Sequence, residues 1–298
     1  MIVTVIPMKM KSIILISILL LGMLCGCNTE HPAQVAATTL PVYQFTSMLC
    51  EGTGLTVTRL VTESVSCLHD YSLNVSQVKA AESAELVILS GAGLEDFMED
   101  VLSKSKAVID SSAGIHLLEC GSEHHHDHEH HHHEEDSHIW LSPLNAKLMA
   151  SNICAGLIAK YPSHKTTFEK NLAALHTKLD ALYAYGQEQL HDLKCREIIT
   201  FHDGFGYLAQ AFDLTILEAM EEESGSEASA QELKHLIHIV NEHQLPAVFT
   251  EINGSVSAAD IIAAETGIQV HSLDMAMGGS DYFASMYHNI DTLKEALG

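Results

Sequence analysis

Positive charge is scarce in this chain. Fifteen lysines and arginines stand against 39 aspartates and glutamates in 298 residues, a formal net charge of −24. A surface of that sign repels phosphate backbones, which excludes nucleic acid as a partner and leaves small cations as the species its field attracts. Long apolar runs are missing beyond the first two dozen residues, so no later segment is fit to span a bilayer. Cysteine is sparse too, and none of the five cysteines after Cys27 are paired at metal-ligand spacing, which argues against a cysteine zinc site. Cys50, Cys67, Cys120, Cys154 and Cys195 are an odd, widely spaced set that defines no disulfide framework; a Cys67–Cys120 bridge is the one pairing expected. Gly-x-Ser-x-Gly does not occur, so one familiar hydrolase signature is absent.

What is present begins with the N-terminus. Lys9 and Lys11 precede an apolar stretch from Ile13 to Leu24, broken only by Ser17 and Gly22. That is a signal-peptide core, too short to be a transmembrane helix. It ends in Leu24-Cys25-Gly26-Cys27, which has the form of a bacterial lipobox with Cys27 as the first mature residue. Acyl chains on Cys27 would hold the protein on the extracytoplasmic face of a membrane. Met8 and Met10 are alternative starts.

Further along, β-branched runs alternate with helical segments. Strands are expected at Val35 to Leu40, Thr56 to Val61, Leu86 to Leu89, Ala107 to Asp110, Glu197 to Phe201, Leu214 to Leu217, Ala247 to Thr250 and Gln269 to Leu273, with a further one at Leu117 to Cys120. Helices are expected at Val42 to Cys50, Val75 to Ala84, Ala230 to His243 and Ser257 to Thr266. Such alternation predicts an α/β fold with parallel sheets. From Ser163 to Leu193, Phe168, Leu172, Leu175, Leu179 and Leu182 recur by fours and threes, the period of one long helix with a single buried stripe, with Ser163 as its N-cap. The expected layout is a signal peptide at 1–26, a tether at 27–33, one α/β domain at 34–162, the linking helix at 163–193 and a second α/β domain at 194–298.

Histidine is the abundant residue, 21 in all. Eight fall in ten positions: His124, His125, His126, His128, His130, His131, His132 and His133. Neutral imidazole suits borderline-soft ions such as zinc. A run without apolar residues packs no rigid shell, so residues 121–137 are expected to form an exposed loop that collects metal weakly. A selective site needs fixed donors. His69 follows the second strand, His202 the fifth and Asp274 the eighth, and ligands of open α/β sheets bind beyond the carboxyl ends of strands. His138 opens a helix just after the histidine run. Three imidazoles and one carboxylate make a shell that zinc accepts. His235 and His238, one helical turn apart, are better read as a solvated helix face.

At these segments the sequence resembles a known family, the zinc-specific substrate-binding lipoproteins of ABC importers, the ZnuA type. His69-Asp70-Tyr71-Ser72-Leu73, Leu86-Val87-Ile88-Leu89-Ser90-Gly91-Ala92-Gly93-Leu94-Glu95, His138-Ile139-Trp140-Leu141-Ser142-Pro143 and Phe201-His202-Asp203-Gly204-Phe205-Gly206-Tyr207 carry the likeness, with Phe249-Thr250-Glu251, Glu265-Thr266-Gly267 and Asp281-Tyr282-Phe283 in the C-terminal half. The resemblance implies two (β/α)4 parallel-sheet domains joined by a single long backbone helix, with the metal in the interdomain cleft. His69, His138, His202 and Asp274 would be its ligands, with water an alternative to Asp274. It further implies a monomeric, non-enzymatic component that delivers Zn2+ to an ABC permease and its ATPase. Two departures stand out. Ser142 replaces the family's aspartate, which predicts weaker orientation of His138, and Met275-Ala276-Met277 follows Asp274 in place of Pro-Leu. Manganese-type relatives carry a second carboxylate where this chain has His202, so zinc is favoured over manganese. The rival readings are a zinc-dependent hydrolase using Glu251 as base and a surface zinc buffer or adhesin without a transport role.

Overall fold

The computed structural model describes residues 34–63, 68, 71–119, 135–220 and 228–298. The chain runs β1 (Val35–Ala37), α1 (Leu40–Cys50), β2 (Val57–Arg59), α2 (Val75–Ser83), β3 (Leu86–Leu89), the short α3 (Glu99–Leu102) and β4 (Val108–Asp110). Two helices follow, α4 (Pro143–Lys160) and α5 (Lys165–Gln189). The second half reads β5 (Glu197–Thr200), α6 (Gly206–Ala211), β6 (Thr215–Ala219), α7 (Ala230–His243), β7 (Ala247–Glu251), α8 (Ser257–Thr266), β8 (Gln269–Leu273) and α9 (Tyr282–Leu297). All strand pairings are parallel, and the two sheets share one plan: β2-β1-β3-β4 in the first lobe, β6-β5-β7-β8 in the second.

Local sequence accounts for the elements. Every residue of β3 and of β7 is buried, as strands covered by helices on both faces require. Proline in the first turn starts α1 and α4, where a missing N–H costs nothing. Asn74 with Gln77 and Ser229 with Glu232 form capping boxes on α2 and α7. Along α5, Phe168, Leu175, Leu179 and Leu182 are fully buried and Leu172 partly so, the stripe expected from their spacing. That helix packs on α1 and α4 and also on α9, so it touches both lobes. Near its end Gly186 lies so close to the Phe212 ring that a Cβ there would stand 2.2 Å from it. At 1.5 Å per residue, its 25 residues make a rod of about 37 Å.

Some expectations need correction. Leu117 to Cys120 is not a strand within the described residues: only Glu119 pairs, in one isolated antiparallel bridge to Glu135. The ladder stops because the Leu118 N–H donates to the Tyr207 hydroxyl instead of to a sheet neighbour. Ser163 is not the cap of the long helix. It lies inside a 3₁₀ turn, Pro162–His164, and His164 occupies the cap position without a side-chain bond. Leu40 starts α1 instead of ending β1, because Pro41 favours a helical first turn. His138 precedes a 3₁₀ turn, Ile139–Leu141, and the helix proper begins at Pro143.

Candidate metal centre

In a sheet ordered β6-β5-β7-β8, the chain leaves β5 toward one edge and later returns on its other side. The crevice between the carboxyl ends of β5 and β7 is therefore the topological switch point. His202 lies two residues beyond β5, and Glu251 is the last residue of β7. They meet across that crevice, with His202 Nδ1 and Glu251 Oε1 3.0 Å apart.

The first lobe brings the second imidazole. Asp136 forms a tight Asx turn in which Oδ1 accepts from the His138 backbone N–H at 2.8 Å. The same oxygen stands 2.8 Å from His138 Nδ1. Relative exposure is 3% for Asp136, 3% for His138, 9% for His202 and 5% for Glu251, so both imidazole–carboxylate pairs are shielded from water. The Trp140 ring meets His138 edge-on at 5.4 Å.

Each imidazole thus meets a carboxylate at Nδ1. An ionised carboxylate only accepts, so a neutral imidazole bonded to one through Nδ1 presents Nε2 as the nitrogen able to ligate. The two rings stand 5.1 Å apart at 88°, with Nε2 of His202 3.4 Å from Nε2 of His138. A tetrahedral zinc with Zn–N of ~2.0–2.1 Å sets its nitrogens about 3.3–3.4 Å apart, so the observed spacing fits it.

The remaining candidates are placed as follows. Asp274 follows β8, and its carboxylate is fixed from two sides: Oδ1 accepts from the Ala276 N–H at 2.8 Å and Oδ2 from the Ser285 hydroxyl at 2.7 Å. Asn289 holds its backbone N–H and C=O, both at 2.7 Å. The structure thus brings His138 and His202 together. Among the described residues, no three His, Cys, Asp or Glu side chains form a group able to hold an ion. His69, the histidine run from His124 to His133, and Cys27 lie outside the described residues, as do Cys67 and Cys120. Of the described cysteines, Cys50, Cys154 and Cys195 are free thiols.

Sequence reasoning missed the two orienting carboxylates. Ser142, expected to weaken His138, instead caps α4 through Asn145, and Asp136 performs the orientation. The strand-end criterion that selects His202 and Asp274 also selects Glu251, which the sequence alone suggests only as a catalytic base. Its Oε1 is engaged with His202 Nδ1.

Fold and site together define a two-lobed α/β protein that presents oriented imidazoles between its lobes. Comparison with known proteins sharpens this. Residues 35–296 match the family model of the zinc-uptake complex component A, periplasmic, and the chain belongs to that ZnuA family. It is 31% identical to the high-affinity zinc uptake system protein ZnuA of Bacillus subtilis, across 88% of this chain and 87% of that one. It is 30% identical to the zinc-binding lipoprotein AdcA of Streptococcus pneumoniae, covering 97% of this chain but only 61% of AdcA. Among solved structures, a crystal structure of ZnuA superposes with a TM-score of 0.76 at 29% identity, covering 89% of this chain and all of that one. The Zn(II)-bound ZnuA-like domain of S. pneumoniae AdcA gives 0.74 at 26% identity, covering 88% and 98%.

Proposed function

We propose that this protein is the extracytoplasmic zinc-capture component of an ABC-type importer. His138 and His202 hold the ion through Nε2, and His69 and Asp274 complete the shell. The histidine run from His124 to His133 collects zinc near the cleft, Cys27 carries the lipid that keeps the protein at the membrane, and a permease with its ATPase receives the ion. The observation that carries this reading is the pair of carboxylate-backed imidazoles with Nε2 atoms 3.4 Å apart in a buried crevice. Glu251 fits the same reading as an orienting group rather than a base, because Oε1 faces the ring nitrogen opposite the ligating one.

Calorimetry on metal-stripped protein tests it. One tight zinc site is expected above weaker loop binding, and a His138→Ala, His202→Ala double variant loses the tight site. A double variant that binds as tightly as the unmodified protein refutes the assignment. Transport is tested separately: cells lacking the protein should fail to grow under zinc chelation, and a surface buffer would leave growth unaffected.

A further inference from the structure

Trp140 is the only tryptophan in the chain and is fully buried. It lies on the 3₁₀ turn Ile139–Leu141 that follows His138, and its ring meets that imidazole edge-on at 5.4 Å. Its polar groups are engaged by the other lobe. Indole Nε1 donates to the Met275 carbonyl at 2.7 Å, and the Trp140 carbonyl accepts from the Tyr282 hydroxyl at 2.8 Å. Met275 directly follows Asp274, and Tyr282 opens α9, so these bonds hold both ends of the β8–α9 connection. Met275 and Tyr282 are buried as well, which shields both bonds from water. One side chain thus touches an imidazole of the first lobe and binds the segment of the second lobe that bears Asp274.

We propose that Trp140 is the positioning residue that couples ion occupancy to lobe contact, with its indole N–H as the latch. The inference rests on the reading that His138 and His202 hold the ion. Keeping both imidazoles on one ion requires the lobes to stay in register. The indole N–H and the Met275 carbonyl belong to different lobes, so their bond breaks whenever that register is lost. An ion that favours the closed register therefore strengthens the latch, and by linkage the latch strengthens ion binding by the same factor. A neutral hydrogen bond corresponds to about threefold to tenfold in an equilibrium constant. The bond acts once the lobes have closed on the ion, so its loss falls on the dissociation rate rather than on association.

The full chain, 15N-labelled, gives a single indole N–H resonance, assigned without any variant because Trp140 stands alone. Its hydrogen exchange is followed on metal-stripped protein and again with zinc saturating the tight site. The Val87 amide of β3, fully buried and bonded to the Ala107 carbonyl at 2.9 Å, is the reference for global opening. Without metal the indole should exchange at least about tenfold faster than Val87, through opening of the lobe contact alone. Zinc should then slow it by about threefold or more. An indole that misses either mark overturns the proposal. Trp140→Phe keeps an aromatic ring but deletes the donor. In stopped-flow chelator competition it should raise the zinc dissociation rate by about threefold or more, with association changed less than about twofold. A smaller rise in dissociation also overturns the proposal, since a purely structural role would lower the Tm without that kinetic split. Should the variant fail to fold, indole exchange in the unmodified protein still decides. The imidazole resonances of His138 and His202, followed during the same zinc titration, test the underlying site. If zinc leaves them unmoved, the site assignment falls and the inference with it; if they move while the indole test fails, only the role of Trp140 falls.

Discussion

Replacing Asp136 with asparagine isolates the contribution of the carboxylate behind one imidazole of the proposed site. Asp136 Oδ1 serves two donors, the His138 backbone N–H and the ring Nδ1–H, each at 2.8 Å. Asparagine keeps an oxygen at that place and so keeps the Asx turn, but it is neutral. A bond to a charged acceptor contributes about 1.5–3 kcal/mol against about 0.5–1.5 kcal/mol for a neutral one, so roughly 1–1.5 kcal/mol of support for the imidazole disappears. Partners of metal-ligating histidines change affinity by about 10–100-fold, equivalent to ~1.4–2.8 kcal/mol. Asp136→Asn is therefore expected to weaken zinc binding by about tenfold or somewhat more, with the fold retained. The assay is competition against a chelator of known affinity, read at the tight site. Glu251→Gln probes the other imidazole through the 3.0 Å contact to His202 Nδ1, and the losses should multiply in the double variant because separate rings are affected. Asp136→Asn binding zinc as tightly as the unmodified protein, while His138→Ala binds none, refutes the reasoning.

Two further outcomes are expected. Tyr207→Phe removes a buried hydroxyl that donates to the Asp136 carbonyl at 2.9 Å and accepts from the Leu118 N–H at 3.0 Å; thermal unfolding should show a loss of about 1–3 kcal/mol together with weaker zinc binding, and an unchanged Tm counts against it. Burial pushes the Glu95 carboxyl up to about 7 from 4.5, even though Thr38, Ser90 and Gly91 donate to it. Because the folded value lies above the unfolded one, Glu95 favours folding fully below pH 4.5, and that contribution is lost as pH rises through about 7. Urea unfolding at pH 5 and pH 8 should therefore show a pH-dependent loss, up to about 3 kcal/mol, that Glu95→Gln lacks; parallel curves for the two proteins reject it.

Much of the architecture is legible from local pattern. The β-branched runs between helical stretches correspond to all eight strands of the two sheets, and α7 and α8 span the residues their periodicity indicates. These signals survive because parallel strands and amphipathic helices are patterned over several consecutive residues. The site is only half legible. His138 and His202 stand out because each ends or begins an element, but their partners depend on which strands become neighbours. Glu251 reaches His202 only because β7 lies beside β5, and no local pattern states that order. Asp136 was lost among the acidic residues flanking the histidine run, although its spacing to His138 is that of an Asx turn. The Met275 segment differs from Pro-Leu in sequence, but the bond from Trp140 to its backbone carbonyl across the lobes is one that no sequence spacing encodes.

The contacts that join the lobes and those that build the site are largely the same. Trp140 meets the His138 ring, donates to the Met275 carbonyl and accepts at its own carbonyl from the Tyr282 hydroxyl at 2.8 Å. Tyr207, five residues after His202, bridges Leu118 and Asp136. On the far side of the same loop, Arg59 donates to the carbonyls of Met277 and Gly279, and Gln44 pairs with Asp281 and the Tyr282 N–H. Each such bond is worth only about 0.5–1.5 kcal/mol net, but apart from those of Tyr207 they lie on the β8–α9 connection or the first residue of α9, and all would have to yield together for the lobes to part. Parting would necessarily separate His138 from His202 and destroy the 3.4 Å spacing. Release of an ion held by that pair would thus be inseparable from loosening of the lobe interface, and a helix such as α5, packed against both lobes, leaves room only for small displacements rather than wide hinge opening. A shift of a few tenths of an ångström between the two nitrogens would be enough to strain Zn–N bonds of ~2.0–2.1 Å, so a small loosening would suffice to free an ion held there.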